Sequence, residues 1–181
     1  MLGECLIQFD LERPITMSFS ILPSTALWFL PFVLPICLWV MWSDLKAMRI
    51  PNTAVLALVG VFAVVGLFAL PFADYPWRLL TLLVVLVITF LANMVGLMGA
   101  GDSKFIAAAA PFIDPSDAGA VAFIFAANLL ACFATHRIAK NTSLRQMAPD
   151  WDSWDRGRKF PMGFALGGTL IIYLILGAFA G

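Results

Sequence analysis

Five stretches of this chain are apolar for about the thickness of a bilayer: Ile21 to Trp42, Thr53 to Phe72, Trp77 to Leu97, Ala118 to Thr135 and Pro161 to Ala180. Arg78 is the one charged residue in any of them. A helix that crosses a membrane takes roughly 20 such residues. In hydrocarbon a backbone must satisfy its own polar groups, which a helix does within one segment. The whole chain is 62% hydrophobic and 12% charged, where a soluble domain carries about 25% charged residues. That excess of apolar surface cannot be hidden inside 19.7 kDa of protein, so most of the surrounding solvent is lipid. The predicted fold is an all-α, polytopic bundle of membrane helices. The formal net charge is zero, and no basic balance points to nucleic acid.

A sixth crossing depends on the segment between the third and fifth spans. Ser103 to Ile113 is apolar but about half a span long, and Asp114-Pro115-Ser116-Asp117 then breaks the chain with turn chemistry. With six crossings, the loops after the first, third and fifth spans hold nine of the eleven cations, and only Arg13 and Arg78 lie on the other side. With five crossings and a half-helix at 103–113, the split is eight to three. The positive-inside rule favours six spans, with the cation-rich loops in the cytoplasm and both termini outside. The chain then reads as one membrane domain over residues 1–181, with an N-terminal extension at 1–20 and a polar cytoplasmic loop at 136–160. The extension carries Glu4, Asp10, Glu12 and Arg13 and lacks the basic opening of a signal peptide. Pro23, Pro31 and Pro35 predict a kink in the first span.

Two aspartates stand at membrane boundaries. Asp44 ends the first span in Ser43-Asp44-Leu45-Lys46, and Asp102 opens the fourth in Gly99-Ala100-Gly101-Asp102-Ser103-Lys104. An ionisable group beside hydrocarbon is costly and marks a functional site by default. Two carboxyls that converge share a proton, so one serves as acid and the other as base at the same pH. Such a pair activates water against an amide without metal or covalent intermediate. Gly99 and Gly101 let the backbone turn sharply and approach an extended peptide. A plainer reading stands beside this: Asp102 as a helix N-cap, and Asp44 as an interfacial anion paired with Lys46 or Arg49.

These motifs resemble those of the type IV prepilin peptidases, the membrane aspartyl proteases with a Gly-x-Gly-Asp signature. The likeness rests on Asp44 followed by Ile50-Pro51-Asn52, then the 99–104 segment two spans later, then Pro161-Met162-Gly163 opening the last span. The resemblance implies that Asp44 and Asp102 are the catalytic pair. Ile50, Pro51, Asn52, Gly99, Gly101, Lys104, Pro161 and Gly163 would be motif and support residues. It also implies a prepilin partner whose short basic leader, ahead of an apolar helix, is cut at the cytoplasmic face of the inner membrane. The long members of the family carry paired Cys-x-x-Cys motifs in an added methyltransferase domain. Cys5, Cys37 and Cys132 have no such spacing, so the expectation is the short form, which resembles the peptidases of Flp-type pilus systems and of archaeal flagella, with no metal and no cofactor. Presenilin-like proteases share the glycine motif but place Tyr before the first Asp, where Ser43 stands here. Two other classes compete: a carrier using the same carboxyls as a relay, and a catalytically silent pilus-assembly protein.

Other polar residues carry lesser expectations. Asp150, Asp152 and Asp155 lack the ligand pattern of a calcium loop and are followed by Arg156, Arg158 and Lys159, which reads as a solvated mixed-charge loop. Trp151 and Trp154 are expected at the headgroup level. His136, the single histidine, is expected to be structural. Asn93 and Asn128 should bond to neighbouring helices, with Asn93 also a candidate for the cavity. Gly167-Gly168 and the alanines 107–110 should allow close helix packing. Lys104 lies about 200° around a helix from Asp102 and should reach a backbone carbonyl, the neighbouring loop or the interface.

Overall fold

A computed structural model describes residues 19–155 and 160–179. Six helices follow one another: α1 (Pro23–Ala47), α2 (Asn52–Ala69), α3 (Tyr75–Met94), α4 (Ala100–Ala109), α5 (Ala118–Lys140) and α6 (Met162–Phe179). There is no strand among the described residues. All but α4 are long and apolar enough to cross a membrane, and the protein is a multi-pass membrane protein. Residues 136–140, polar in sequence, continue α5. Most of the 1–20 extension, together with Cys5, Arg13, Arg156, Arg158 and Lys159, lies outside the described residues.

α1 shows how sequence sets the packing. Ala26, Phe29, Val33, Cys37, Val40 and Asp44 are all buried, and their spacing of three or four residues is one stripe of a helix. Pro31 and Pro35 fall on exposed faces, and the helix runs continuously through them. The stripe packs most extensively against α6, whose glycines open the way. A Cβ on Gly167 would stand 2.8 Å from Met41 Cγ and 3.1 Å from the Cys37 carbonyl oxygen. Gly168 faces α5 instead, where Asn128 Nδ2 donates to the Ala165 carbonyl at 2.8 Å and to Thr169 Oγ1 at 3.2 Å. Both the paired glycines and Asn128 behave as the sequence predicts.

The short α4 (ten residues) is extended by the turn that follows it. Its buried alanines lead into a 3-10 turn at Ala110–Phe112. Phe112 from that turn packs edge-on against Phe29 (4.8 Å between ring centres) and Phe62 (5.4 Å), filling space a longer helix would otherwise occupy. The alignment with α3 is antiparallel. At one end Thr89 Oγ1 donates to the Ser103 carbonyl at 3.1 Å, and at the other Arg78 donates to the Ile113 carbonyl and pairs with Asp114. α4 and its turn thus run alongside α3 from Thr89 to Arg78, although α4 itself is shorter than a membrane span.

Where α4 gives out, side chains satisfy the irregular backbone, as burial in protein requires. Asp117, 4% exposed, accepts from the Ser20 and Ile21 amides at 2.8 and 3.1 Å and from the Tyr173 hydroxyl at 2.8 Å. The same hydroxyl accepts from the Asp114 amide at 3.0 Å. This network joins the starts of α1 and α5 to α3 and α6, a role well beyond turn chemistry. Tyr173→Phe leaves a buried amide and a carboxylate each short of a partner, a loss of about 1–3 kcal/mol per group. A clearly lowered unfolding temperature in detergent is the expected result, and an unchanged one would show the network to be dispensable.

Candidate functional site

At the opposite end of the bundle the chain turns three times, and each turn brings one sequence motif to the same place. The first turn follows α1. Met48, left-handed at φ 51°, caps the helix by donating its amide to the Asp44 carbonyl at 2.9 Å. Ser43 Oγ donates to the Arg49 carbonyl at 2.9 Å and closes the loop. Ile50 is then driven inward, 7% exposed, and Pro51 hands over to α2 at Asn52.

Ile50 is the wedge of the site. A Cβ on Gly101 would lie 3.4 Å from Ile50 Cβ, and one on Gly163 would lie 3.0 Å from Ile50 Cγ1 and Cδ1. The starts of α4 and α6 thus both rest on one side chain; at Gly163 a Cβ would force Ile50 or Asp44 to give way, whereas at Gly101 it would make an ordinary contact. Asn52 Oδ1, beside it, accepts from Lys104 Nζ at 3.2 Å, which ties α2 to α4. Lys104 therefore reaches the loop side rather than Asp102. Both partners are exposed, and one such bond contributes about 0.5–1.5 kcal/mol. Lys104→Ala is expected to lower kcat/KM by no more than about tenfold; a loss of a thousandfold would assign the lysine a direct role.

Asp44 is 5% exposed, and its Oδ2 accepts from the Gly163 amide at 2.6 Å. The Phe164 amide adds a second backbone bond. These are free N–H groups of the first turn of α6, which favour an anion. Pro161 is fully buried just before them and fixes the approach of the chain. Neither Lys46 nor Arg49 reaches Asp44 in an ion pair among the described residues. The interfacial-anion reading of Asp44 therefore fails.

Asp102 sits in the first turn of α4, but the N-cap is Gly99 and no side chain caps the helix. The simple capping reading is corrected accordingly. The carboxyl folds back over Gly99 instead, its Oδ2 2.8 Å from where a Gly99 Cβ would be. There it accepts a bond from the Gly99 backbone. Asp44 and Asp102 open onto the same end of the bundle. Both line one cavity of about 1180 Å³, together with Ile50, Asn52, Gly101 and Lys104.

Several neighbours escaped sequence reasoning. Asn93 neither enters the cavity nor bonds another helix. Its Nδ2 donates to the Met98 carbonyl at 2.8 Å and holds the loop before Gly99. Gly96, at φ 77°, lets α3 end in that loop. Thr89, which holds α4 through the Ser103 carbonyl, is silent in the sequence, because one hydroxyl in an apolar helix gives no signal of its partner. Trp154 is buried, stacked on His136 at 5.0 Å, with Trp151 packed edge-on against Trp42 at 5.2 Å. These rings tie the 141–155 segment to α1 and α5; Trp154, expected at the headgroup level, faces protein, while Trp151 stays partly exposed beside Trp42. Asp155 pairs with Arg145 at 2.8 Å in the solvated way its sequence suggests.

A profile of the type IV leader peptidase family matches residues 31–136, more than half of the chain. The chain belongs to that family. The match takes in Asp44, the Ile50-Pro51-Asn52 turn and the 99–104 motif. Leader-peptidase activity is thus established at the level of the family, and the polar cavity at the end of the bundle is the place in the peptidase where these motifs meet. Comparison with curated proteins and with solved structures found no match.

Proposed function

We propose that the peptidase is an aspartic endopeptidase that removes the short basic leader of a type IV or Flp-type prepilin, with Asp44 and Asp102 as its catalytic pair. One observation carries this reading: two carboxyls from distant parts of the sequence line a single cavity at one rim of the bundle. In the reaction one carboxylate takes a proton from water as its oxygen attacks the amide carbon. The other, protonated, gives its proton to the carbonyl oxygen; as the C–N bond breaks, the first carboxyl passes the water proton to the departing amine and the second takes back a proton from a hydroxyl of the tetrahedral intermediate. Ile50, Pro51, Asn52, Gly99, Gly101, Lys104, Pro161 and Gly163 act as positioning residues.

The cations support a cytoplasmic site at the inner membrane. Lys46, Arg49, Lys104, Arg137, Lys140 and Arg145 lie on or beside the helix ends at the Asp44 end, and Arg78 lies at the other. That arrangement supports a topology with both termini outside. A carrier would hold its carboxyls near mid-membrane between broken helices, whereas these two stand at one rim. The test is incubation of the purified protein in detergent with a prepilin, with the products mapped by mass spectrometry. One cut between the polar leader and the apolar segment is expected, and a precursor left intact would overturn the assignment.

A further inference from the structure

α3 packs on α4, and α5 packs on α6, but α3 and α5 share no packed interface. The thin, alanine-rich α4 leaves a groove of about 340 Å³ between them. Val85 of α3 and Ala122 of α5 stand on its walls, while Phe105, Ile106, Leu166 and Leu170 form its floor. Nothing in the catalytic chemistry above uses it.

The register of the floor says what fits. Phe105 and Ile106 are three and four residues after Asp102, so they continue the same face of α4. Leu166 and Leu170 likewise continue the face of α6 that begins at Gly163, the residue bonded to Asp44. The apolar groove therefore starts one turn below the two carboxyls and runs away from them as far as Asp114 and Pro115. On α5 it extends from Ala118 to Phe125, about two turns of helix. A ligand that follows both surfaces is polar and extended in the cavity and becomes an apolar helix directly afterwards. Alanines at 109, 110, 118 and 122 let a helix backbone come close, and in lipid such close packing drives helix association.

We infer that the groove between α3 and α5 is the docking site for the apolar helix of the substrate, seating its first turns so that the peptide bond just before it lies between Asp44 and Asp102. This rests on the endopeptidase reading and adds a second recognition surface to it. The occupant is a membrane helix covalently continuous with the peptide in the cavity; a lipid acyl chain is the competitor to be excluded.

The test uses two synthetic substrates with the same lysine-containing leader, one followed by roughly 20 apolar residues and one ending a few residues after the scissile bond. Ala122→Trp fills the groove. It is expected to lower the ratio of kcat/KM for the long over the short substrate by about tenfold. An unchanged ratio overturns the proposal. A photoreactive group two turns after the scissile bond of the long substrate gives a second reading on the wild-type protein, which needs no turnover. Crosslinks to Val85 and the Ala118–Phe125 face of α5 support the groove. Crosslinks confined to α1, α2 or lipid overturn it. Failure of the wild-type protein to cut either substrate would count against the endopeptidase reading, while the crosslinks would still decide the groove.

Discussion

Asp44→Asn and Asp102→Asn are each expected to lower prepilin cleavage by at least about a thousandfold, since each removes one half of a proton-transfer pair. Asparagine keeps the shape and an acceptor oxygen, so the Gly163 amide that bonds Asp44 Oδ2 at 2.6 Å still finds a partner. Loss of activity in such a variant is then loss of chemistry rather than of fold. For Asp102 the effect on stability also has a definite sign. The bond its carboxyl accepts comes from the Gly99 backbone, within its own turn of chain, and an amide oxygen accepts it as well. A charge at the rim of an apolar bundle is costly to keep out of water, and a neutral amide is less so. Asp102→Asn is therefore expected to be inactive yet, at neutral pH, at least as stable to heat as the wild type. Cleavage retained by both single variants would sink the catalytic pair. Inactivity accompanied by a large fall in unfolding temperature would instead make Asp102 a structural residue.

The membrane architecture was legible because lipid imposes one rule on long apolar segments. The glycine motif, the Ile50-Pro51-Asn52 turn and the Pro161–Gly163 start were legible as patterns, but their reasons lay in contacts. Nothing in the sequence says that Ile50 supports both Gly101 and Gly163, or that Asn52 accepts from Lys104. Such pairings depend on how four helix ends meet. The Arg78, Asp114, Asp117 and Tyr173 network was hidden for a similar reason. Its members are scattered over three segments, and Asp114-Pro115-Ser116-Asp117 reads locally as a turn. Trp154 is hard to place from sequence because an amphipathic ring near a membrane boundary suits headgroups and a polar protein pocket equally well. Trp154 took the pocket because its Nε1 finds the Ala148 carbonyl at 2.7 Å and its ring finds His136.

Gly99→Ala separates the position of a carboxyl from the stability of the fold. The backbone of Gly99 lies at φ −71° and ψ 148°, an extended conformation open to any residue. The main chain therefore loses nothing by the change. What the new methyl meets is Asp102 Oδ2, 2.8 Å from the Cβ position, with the Asp102 carboxyl carbon next at 3.6 Å. Only the end of a short side chain has to move, and it can rotate into the cavity at little cost. Rotation takes the carboxyl off the Gly99 backbone and away from its place opposite Asp44. A misplacement of about 1 Å in a catalytic group costs on the order of a hundredfold in rate. Gly99→Ala is thus expected to cut kcat by about a hundredfold with no measurable fall in unfolding temperature, and Gly99→Ser to behave in the same way. Wild-type kcat in Gly99→Ala would mean that Asp102 does not work from the position seen here. A collapse in stability would mean that the glycine is needed for the chain itself. Gly163→Ala gives the contrast, because its Cβ would stand 3.0 Å from the buried Ile50 side chain as well as from Asp44. There the packed wedge must shift along with the carboxyl, so activity and stability should fall together.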